Sequence, residues 1–548
     1  MKNTLETRQD DPEALVSKFP GAAFVDLPSM ESPLTTLSPI DQQRFQHFGW
    51  GASINPRFHT LLEAINYQIA TRPKAVAAEY QGQTLTYSQL DAAANQLALV
   101  LSSHGVQRGD VVCLYLRRSF SMLVGIVAAM RVGAAYVPQH LGVAPPEMLS
   151  HIAKISGAKV ILTLSAMAPK VAALQHQHLI FIDSMIDSLA PDVTSPRFTG
   201  TATMPEEVAM ILFTSGTTGV PNGVQVTHRN LCNILQTAPG DLGMGPGMRV
   251  GQVLSIAFDM ATWEVLGALS NGATLVIRGN SIQETAESVD VLIATPSILA
   301  SLDADRCRQV KVVAVAGEPC PRSLADRWSS FCRFYNSCGP TETTIINTAE
   351  EHRSEKPVLS IGRPTPNNTI YILDENLHPQ PIGIKGEIWA GGDCVTMGYL
   401  GNKPLTNERY LPDPFRPGHM MFRTRDLGRW TDDGELEHFG RIDDQVKVRG
   451  FRVELDAVSS VLEDAEGCLQ AATLKYDDRT LVSFVTPASS VNLSAAVEAV
   501  AAKLPYYCVP AAVLPMDTFP HTSRGKLDKR ALMQIAQVHF KRLNAEPA

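Results

Sequence analysis

No apolar run in the 548 residues reaches the roughly 18 that a membrane-spanning helix needs, and the opening MKNTLETRQDD lacks the features of a secretory leader. The sequence thus predicts a cytoplasmic protein with no membrane partner. Positive charge is not in excess: 47 Lys and Arg face 55 Asp and Glu, a formal net charge of −8 that gives no electrostatic reason to expect nucleic acid. The nine cysteines stand singly, with no C-x-x-C pair, which argues for reduced thiols and against a zinc site or a disulfide framework. There is no internal repeat of fixed short period and no low-complexity tract. The 45% apolar and 19% charged shares are those of a globular chain. The length exceeds what one core organises, so about two to four domains or subdomains are expected.

What the chain does have is a stretch from Val208 to Gly223. VAMILF (208–213) reads as a buried strand of a parallel sheet. It runs into Thr214, Ser215, Gly216, Thr217, Thr218 and Gly219, a loop offering backbone N–H groups and four hydroxyls with little side-chain bulk. An oxyanion wants many donors and close approach, and glycine permits both. No Gly-Lys-Ser/Thr follows, so it is not the phosphate loop of the NTPases. Taken alone, the hexapeptide could equally be an ordinary Ser/Thr/Gly turn.

Around that stretch the chain alternates. Residues 1–45 look like a linker, with Asp41 as candidate cap of a short helix carrying Phe45 and Phe48. Leu61, Leu62, Ile65 and Ile69 recur at helical spacing, and Ser88 can cap a helix burying Leu90, Ala94, Leu97 and Leu101. Strands are expected at VAAEY (76–80), VVCLYL (111–116), GAAYVP (133–138), VILTL (160–164) and LIFI (179–182). TLVI (274–277), VLIA (291–294), VKVVAVAG (310–317) and FYNSC (334–338) continue the pattern. Strand–helix alternation predicts an α/β fold with largely parallel sheets. Beyond Pro357 the strands shorten and Gly and Pro multiply, which suggests an antiparallel, β-barrel-like subdomain. After GRIDDQVKVRG (440–450) comes a small α+β lid, with a hairpin across Asp477 and Asp478. The boundaries are a linker over 1–45, a core over 46–442, a lid over 443–535 and a tail over 536–548.

Eight motifs stand in one order: TSGTTGVPNG, FDMATWE, NSCGPTE, GEIWAGGDCVTMGYL, FRTRDLGRW, GRIDDQVKVRGFRVEL, LPYYCVP and RGKLDKRAL. This set closely resembles the amino-acid adenylation domains of nonribosomal peptide synthetases, within the superfamily that also holds acyl-CoA synthetases and luciferases. The resemblance spans about residues 55–535 and implies two half-reactions. An amino-acid carboxylate attacks the α-phosphorus of ATP to give an aminoacyl-adenylate and pyrophosphate; a phosphopantetheine thiol of a carrier domain then displaces AMP. Such chemistry is mostly positioning and electrostatic stabilisation.

The resemblance assigns roles residue by residue. Thr214, Ser215, Gly216, Thr217, Thr218 and Gly219 would hold the β- and γ-phosphates, with Thr214 also among the catalytic residues. Glu342 would be the Mg²⁺ ligand, since a hard cation bridging phosphate oxygens wants a carboxylate. Asp426 would take both ribose hydroxyls, with Arg441 beside ribose and phosphate. Gly317, Glu318, Ser337, Cys338, Gly339 and Thr341 would border the nucleotide. Lys526 would reach from the lid to the substrate carboxylate and α-phosphate, and Asp443 would be the hinge. Asp259 would pair with the substrate ammonium, its competing role being a helix cap. Met260, Trp263, Ile293, Ala314, Ala316, Ser337, Ile345 and Ile346 would wall the side-chain pocket. They hold no second charge, which disfavours a charged substrate side chain. The small Ala314, Ala316 and Ser337 leave room for a bulky neutral one, either aromatic or an N-acyl-N-hydroxyornithine of the kind fungal siderophore synthetases use.

Three positions depart from the family pattern. Asn222 stands for a lysine of the phosphate loop, Cys338 for a tyrosine beside the adenine, and Arg425 for the glycine of TGD; Arg425 is the candidate to return the missing charge. Two rivals follow: an acyl- or aryl-CoA ligase of the same superfamily, and a degenerate domain kept as a docking scaffold. No GGxS carrier motif or HHxxxDG condensation motif is present. The chain therefore reads as one domain of a larger synthetase, with carrier and condensation domains as partners.

Overall fold

The stretches read as buried strands between residues 76 and 338 all enter two large, mostly parallel sheets. The computed structural model describes residues 34–171, 174, 178–183, 198–200, 202–216, 220–521 and 527–545. Thr217, Thr218, Gly219 and Lys526 lie outside them, as does most of the linker. The first sheet runs Leu179–Phe181, Val160–Thr163, Val111–Tyr115, Ala135–Gln139, Val208–Thr214, Asn222–Thr227, parallel except for the last, antiparallel pair. The second runs from Arg363–Pro364 to Gln83–Thr86 through nine strands, its centre parallel and its edges antiparallel. Val112, Cys113, Leu114 and Tyr115 are all without solvent exposure. Burial on both faces explains why these strands read as unbroken apolar runs rather than alternating ones.

Helices cover the sheets. Phe120–Arg131 buries every residue but its last, and Asp259–Asn271 packs on the nine-stranded sheet and against Leu61–Thr71. Two caps differ from expectation. Ser38, not Asp41, caps Pro39–Gly49: its Oγ accepts from the Asp41 N–H at 3.2 Å, so the acid sits in the first turn. Thr86, not Ser88, caps Tyr87–Ser103. The Thr86 hydroxyl accepts from the Gln89 N–H while Gln89 accepts from the Thr86 N–H, a reciprocal box that outcompetes a lone serine two residues on.

The third sheet is five-stranded and antiparallel: Asn368–Leu373, Gly386–Gly392, Met420–Trp430, Tyr410–Pro412 and Leu436–Arg441. The helix Pro39–Gly49 packs on it, with Phe45 buried against Trp50, Tyr371 and Phe415. Packed structure therefore begins inside the stretch read as linker. The lid follows: a hairpin of Gln445–Val448 and Phe451–Glu454, then a three-stranded sheet with Leu455–Glu463, Leu493–Lys503 and Lys529–Ala545 as helices. Gln470–Asp477 and Thr480–Thr486 form the expected hairpin. No helix among the described residues is long and apolar enough to cross a membrane.

Phe45→Ala should lower the apparent melting temperature, the lost ring packing costing about 3–5 kcal/mol. A calorimetric scan with an unmoved first transition would show that this helix is not part of the body.

Candidate active site

Parallel sheets leave their ligand crevice at the carboxyl ends of the strands. Here four such ends converge. Val208–Thr214 delivers Thr214, Ser215 and Gly216; Val291–Ala294 delivers Thr295; Val312–Val315 delivers Ala316 and Gly317; Arg333–Cys338 delivers the loop through Gly339, Thr341 and Glu342. Close packing of backbone accounts for the glycines. A Cβ on Gly216 would lie 2.1 Å from the Val220 carbonyl oxygen, and one on Gly339 would lie 2.6 Å from Ile346 Cα. Thr344 and Ile345 follow at φ 57° and 70°. For a β-branched pair this is backbone strain, held by the Thr344 hydroxyl donating to the Cys394 carbonyl at 2.7 Å.

Glu342 has no solvent exposure. Tyr399 donates to its Oε1 at 2.7 Å, and Arg452 Nη1 lies 3.2 and 3.1 Å from its two oxygens. Burial pushes its carboxyl up, but Arg452, then Arg409 and the Tyr399 bond, outweigh this and hold it below the ordinary range. A buried carboxylate that stays ionised offers oxygens a divalent ion could take in place of that guanidinium. Among the described residues no three or more His, Cys, Asp or Glu gather as a metal cage. A Mg²⁺ held by Glu342 would take its other oxygens from phosphate and water, as that ion prefers.

Asp426 accepts from Arg441 Nη1 at 3.0 Å and faces His438 Nε2 at 3.3 Å. Burial raises its carboxyl, but His438 and Arg441 together carry it below the usual value, so it stays charged. Arg441 also forks onto Asp443, at 2.8 and 3.0 Å. Arg425 does not stand free: it pairs with Glu408 and lies 3.6 Å from Asp443. Its φ of 64° explains why glycine is usual there. Asn222 lies opposite Thr214 in register and accepts from Asn402 Nδ2 at 3.1 Å.

Asp259 is the first residue of its helix rather than the cap, which is Phe258. Its Oδ1 accepts from the Met260 N–H and its Oδ2 from Thr341 Oγ1, both at 2.8 Å. Desolvation raises its carboxyl; the Thr341 bond and Lys447 pull the other way. Trp263, Ile293, Ala314, Ala316, Ile345 and Ile346 are buried together with Met260. The Trp263 indole is anchored, donating to the Gly240 carbonyl at 2.6 Å. Ser337 is 4% exposed and its hydroxyl has no hydrogen-bond partner among the described residues. Glu318 accepts from the Ser297 N–H at 2.8 Å. Burial pushes the Cys338 thiol up to about 12, so it is neutral.

Sequence reasoning missed the lid hairpin as part of the site. Lys447 and Arg452 are directly paired across it. Lys447 Nζ would lie 4.0 Å from a Cβ on Gly317, and its charge acts on Asp259, Cys338 and Asp426. A Cβ on Gly450, at the hairpin tip, would come within 3.1 Å of Glu318 Oε1. Phe451 stacks on Tyr507 at 4.2 Å and meets Phe258 of the body at 5.0 Å. The alternation in QVKVRGFRVE was the available signal: Val446, Val448 and Val453 belong to the lid core, so Lys447 and Arg452 face away from it.

A profile described as AMP-binding enzyme matches residues 65–400. Adenylate-forming reductase 03009 of Coprinopsis cinerea is 43% identical over 510 residues, covering 92% of this chain and 49% of that protein. Tyrocidine synthase 3 of Brevibacillus parabrevis is 35% identical over 511 residues, 87% of this chain and 8% of its own. The chain thus spans about half, or far less, of the curated relatives it matches. Holo-PA1221, a nonribosomal peptide synthetase protein with adenylation and PCP domains solved with a vinylsulfonamide inhibitor, superposes with a TM-score of 0.78. It is 24% identical, over 87% of this chain and 84% of that one.

Arg425→Gly should relieve about 1–3 kcal/mol of backbone strain while freeing Asp443 of one cation. Amide exchange over residues 440–445 is then expected to rise with the melting temperature held or raised; unaltered exchange would mean that Arg425 does not restrain this segment.

Proposed function

The chain belongs to the AMP-binding enzyme family, as an ATP-dependent, AMP-forming adenylation domain, and from that premise we propose that it activates an amino acid and passes it to a carrier thiol. The observation that carries the reading is the meeting of Glu342, Asp426 and Asp259 around one crevice. On this reading each carboxylate would have a distinct task, for metal, ribose and substrate ammonium. In the first half-reaction a substrate carboxylate oxygen bonds to the α-phosphorus as the Pα–O–Pβ bond breaks and pyrophosphate leaves. Thr214, Ser215, Gly216, Thr217, Thr218 and Gly219 hold the departing phosphates, and Lys526 neutralises the charge that builds. Glu342 would hold a Mg²⁺, which when bound would supply electrophilic stabilisation. In the second half-reaction a pantetheine sulfur bonds to the acyl carbon and AMP leaves.

The docked hairpin favours assigning the present pose to the second half-reaction. A narrow cavity of about 50 Å³ between lid and body, lined by Phe213, Phe258, Leu504 and Tyr507, supports an approach route beside the phosphate loop. The pocket walls favour a bulky uncharged side chain, aromatic or acylated hydroxyornithine. The unpartnered Ser337 hydroxyl adds that the substrate carries a hydrogen-bonding atom there.

A second reading concerns the fate of the thioester. The Coprinopsis relative is named a reductase, so in a longer protein of that kind the acyl group would be released by reduction rather than condensed into a peptide.

Lys526→Ala is expected to lower ATP–pyrophosphate exchange about 100-fold, or about 2.7 kcal/mol, and Glu342→Gln to do at least as much. A substrate panel of aromatic amino acids, their α-deamino analogues and acylated hydroxyornithines would identify the acid. Exchange only with the deamino acids would remove the ammonium role from Asp259, and full exchange in Lys526→Ala would overturn the reading itself.

A further inference from the structure

Glu342 is fully engaged, yet by a residue of the lid. Arg452 Nη1 spans both carboxylate oxygens, and its Nε lies 3.7 Å from Glu454. The same residue makes a second contact with the body: its carbonyl oxygen accepts from Ser215 Oγ at 3.2 Å. Ser215 belongs to the loop assigned to the β- and γ-phosphates. One lid residue therefore sets a cation on the carboxylate assigned to the metal and an acceptor oxygen on a hydroxyl assigned to phosphate. We propose that Arg452 is a positioning residue that mimics magnesium pyrophosphate, occupying Glu342 and Ser215 only after that product has left. This rests on the reading of Glu342 as the metal ligand.

The physical argument is exclusion. A guanidinium at 3.1 Å and a divalent ion cannot share one buried carboxylate without strong repulsion in a site poor in water. The hairpin also needs its anions. Lys447 and Arg452 are paired across it, an arrangement that is unfavourable unless each cation has a carboxylate to face. Asp259 and Asp426 serve Lys447, and Glu342 serves Arg452. While metal and pyrophosphate stay bound, Arg452 is denied Glu342 and the hairpin is held off. Once they leave, Glu342 must have a cation and Arg452 supplies it. Product loss and lid docking thereby become one event, and the thiol step cannot start over a site still able to run backwards.

The test uses the full chain with Mn²⁺ and inorganic pyrophosphate as probe, read by electron paramagnetic resonance. Arg452→Gln should bind Mn²⁺ at least 10-fold more tightly than the wild type. Arg452→Lys, which keeps a cation, should stay near the wild type, and Glu342→Gln should lose the binding. In the wild type, magnesium pyrophosphate should raise amide exchange across the hairpin, residues 445–454, a measurement that needs no variant to fold. Equal Mn²⁺ affinity in wild type and Arg452→Gln, or hairpin exchange indifferent to magnesium pyrophosphate, overturns the proposal. If Glu342→Gln still loses the metal, that failure is of the exchange alone. If Glu342→Gln binds Mn²⁺ like the wild type, the assignment of Glu342 falls with it.

Discussion

A carboxylate shut away from water needs a cation, and this protein puts three carboxylates at one place. Glu342 is without exposure, Asp426 nearly so, and Asp259 is desolvated against Thr341. Body residues satisfy only part of the charge: Arg441 and His438 serve Asp426. The remainder is met by Arg452 and Lys447, which belong to a separately packed lid. The position of the lid is therefore in part an electrostatic matter. Its apolar core also takes in Met148 of the body, and the hairpin adds charge pairs with Phe451 against Phe258 as an aromatic contact.

That arrangement lets bound ions bear on how the lid sits. Apolar burial is indifferent to which ligand is present, whereas an ion pair competes directly with any ion offered to the same group. Residues around Asp443 fit the same logic. Asp443 is gripped by Arg441, which also bonds Asp426, and approached by Arg425, which also pairs with Glu408. Asp443 is thus linked through Arg441 to Asp426, and Arg425 ties it to Glu408.

Much of the scaffold could be read from residue order because parallel strands buried on both faces leave unbroken apolar runs, as VVCLY and VLIA do. The loops at their ends could be read because close backbone approach demands glycine, as at Gly216 and Gly339. Local competition was harder. Asp41 and Ser88 are good caps by type, but Ser38 and Thr86 sit where the backbone first turns, and one residue decides which hydroxyl reaches the orphan N–H groups. Residue order does not mark the helix Pro39–Gly49 as part of the body, since its Phe45 has value only against Tyr371 and Phe415, more than 300 residues away.

The linear chain by itself determined the alternation of elements, the family, and the carboxylates and glycines gathered at the crevice, because these depend on residue type and near spacing. The fold alone decided which cations meet them. Arg452 lies 110 positions from Glu342, and Lys447 lies 188 from Asp259. No periodicity within a strand can express a pairing across that distance; it exists only once the lid has come down on the body and the buried charges have had to find one another.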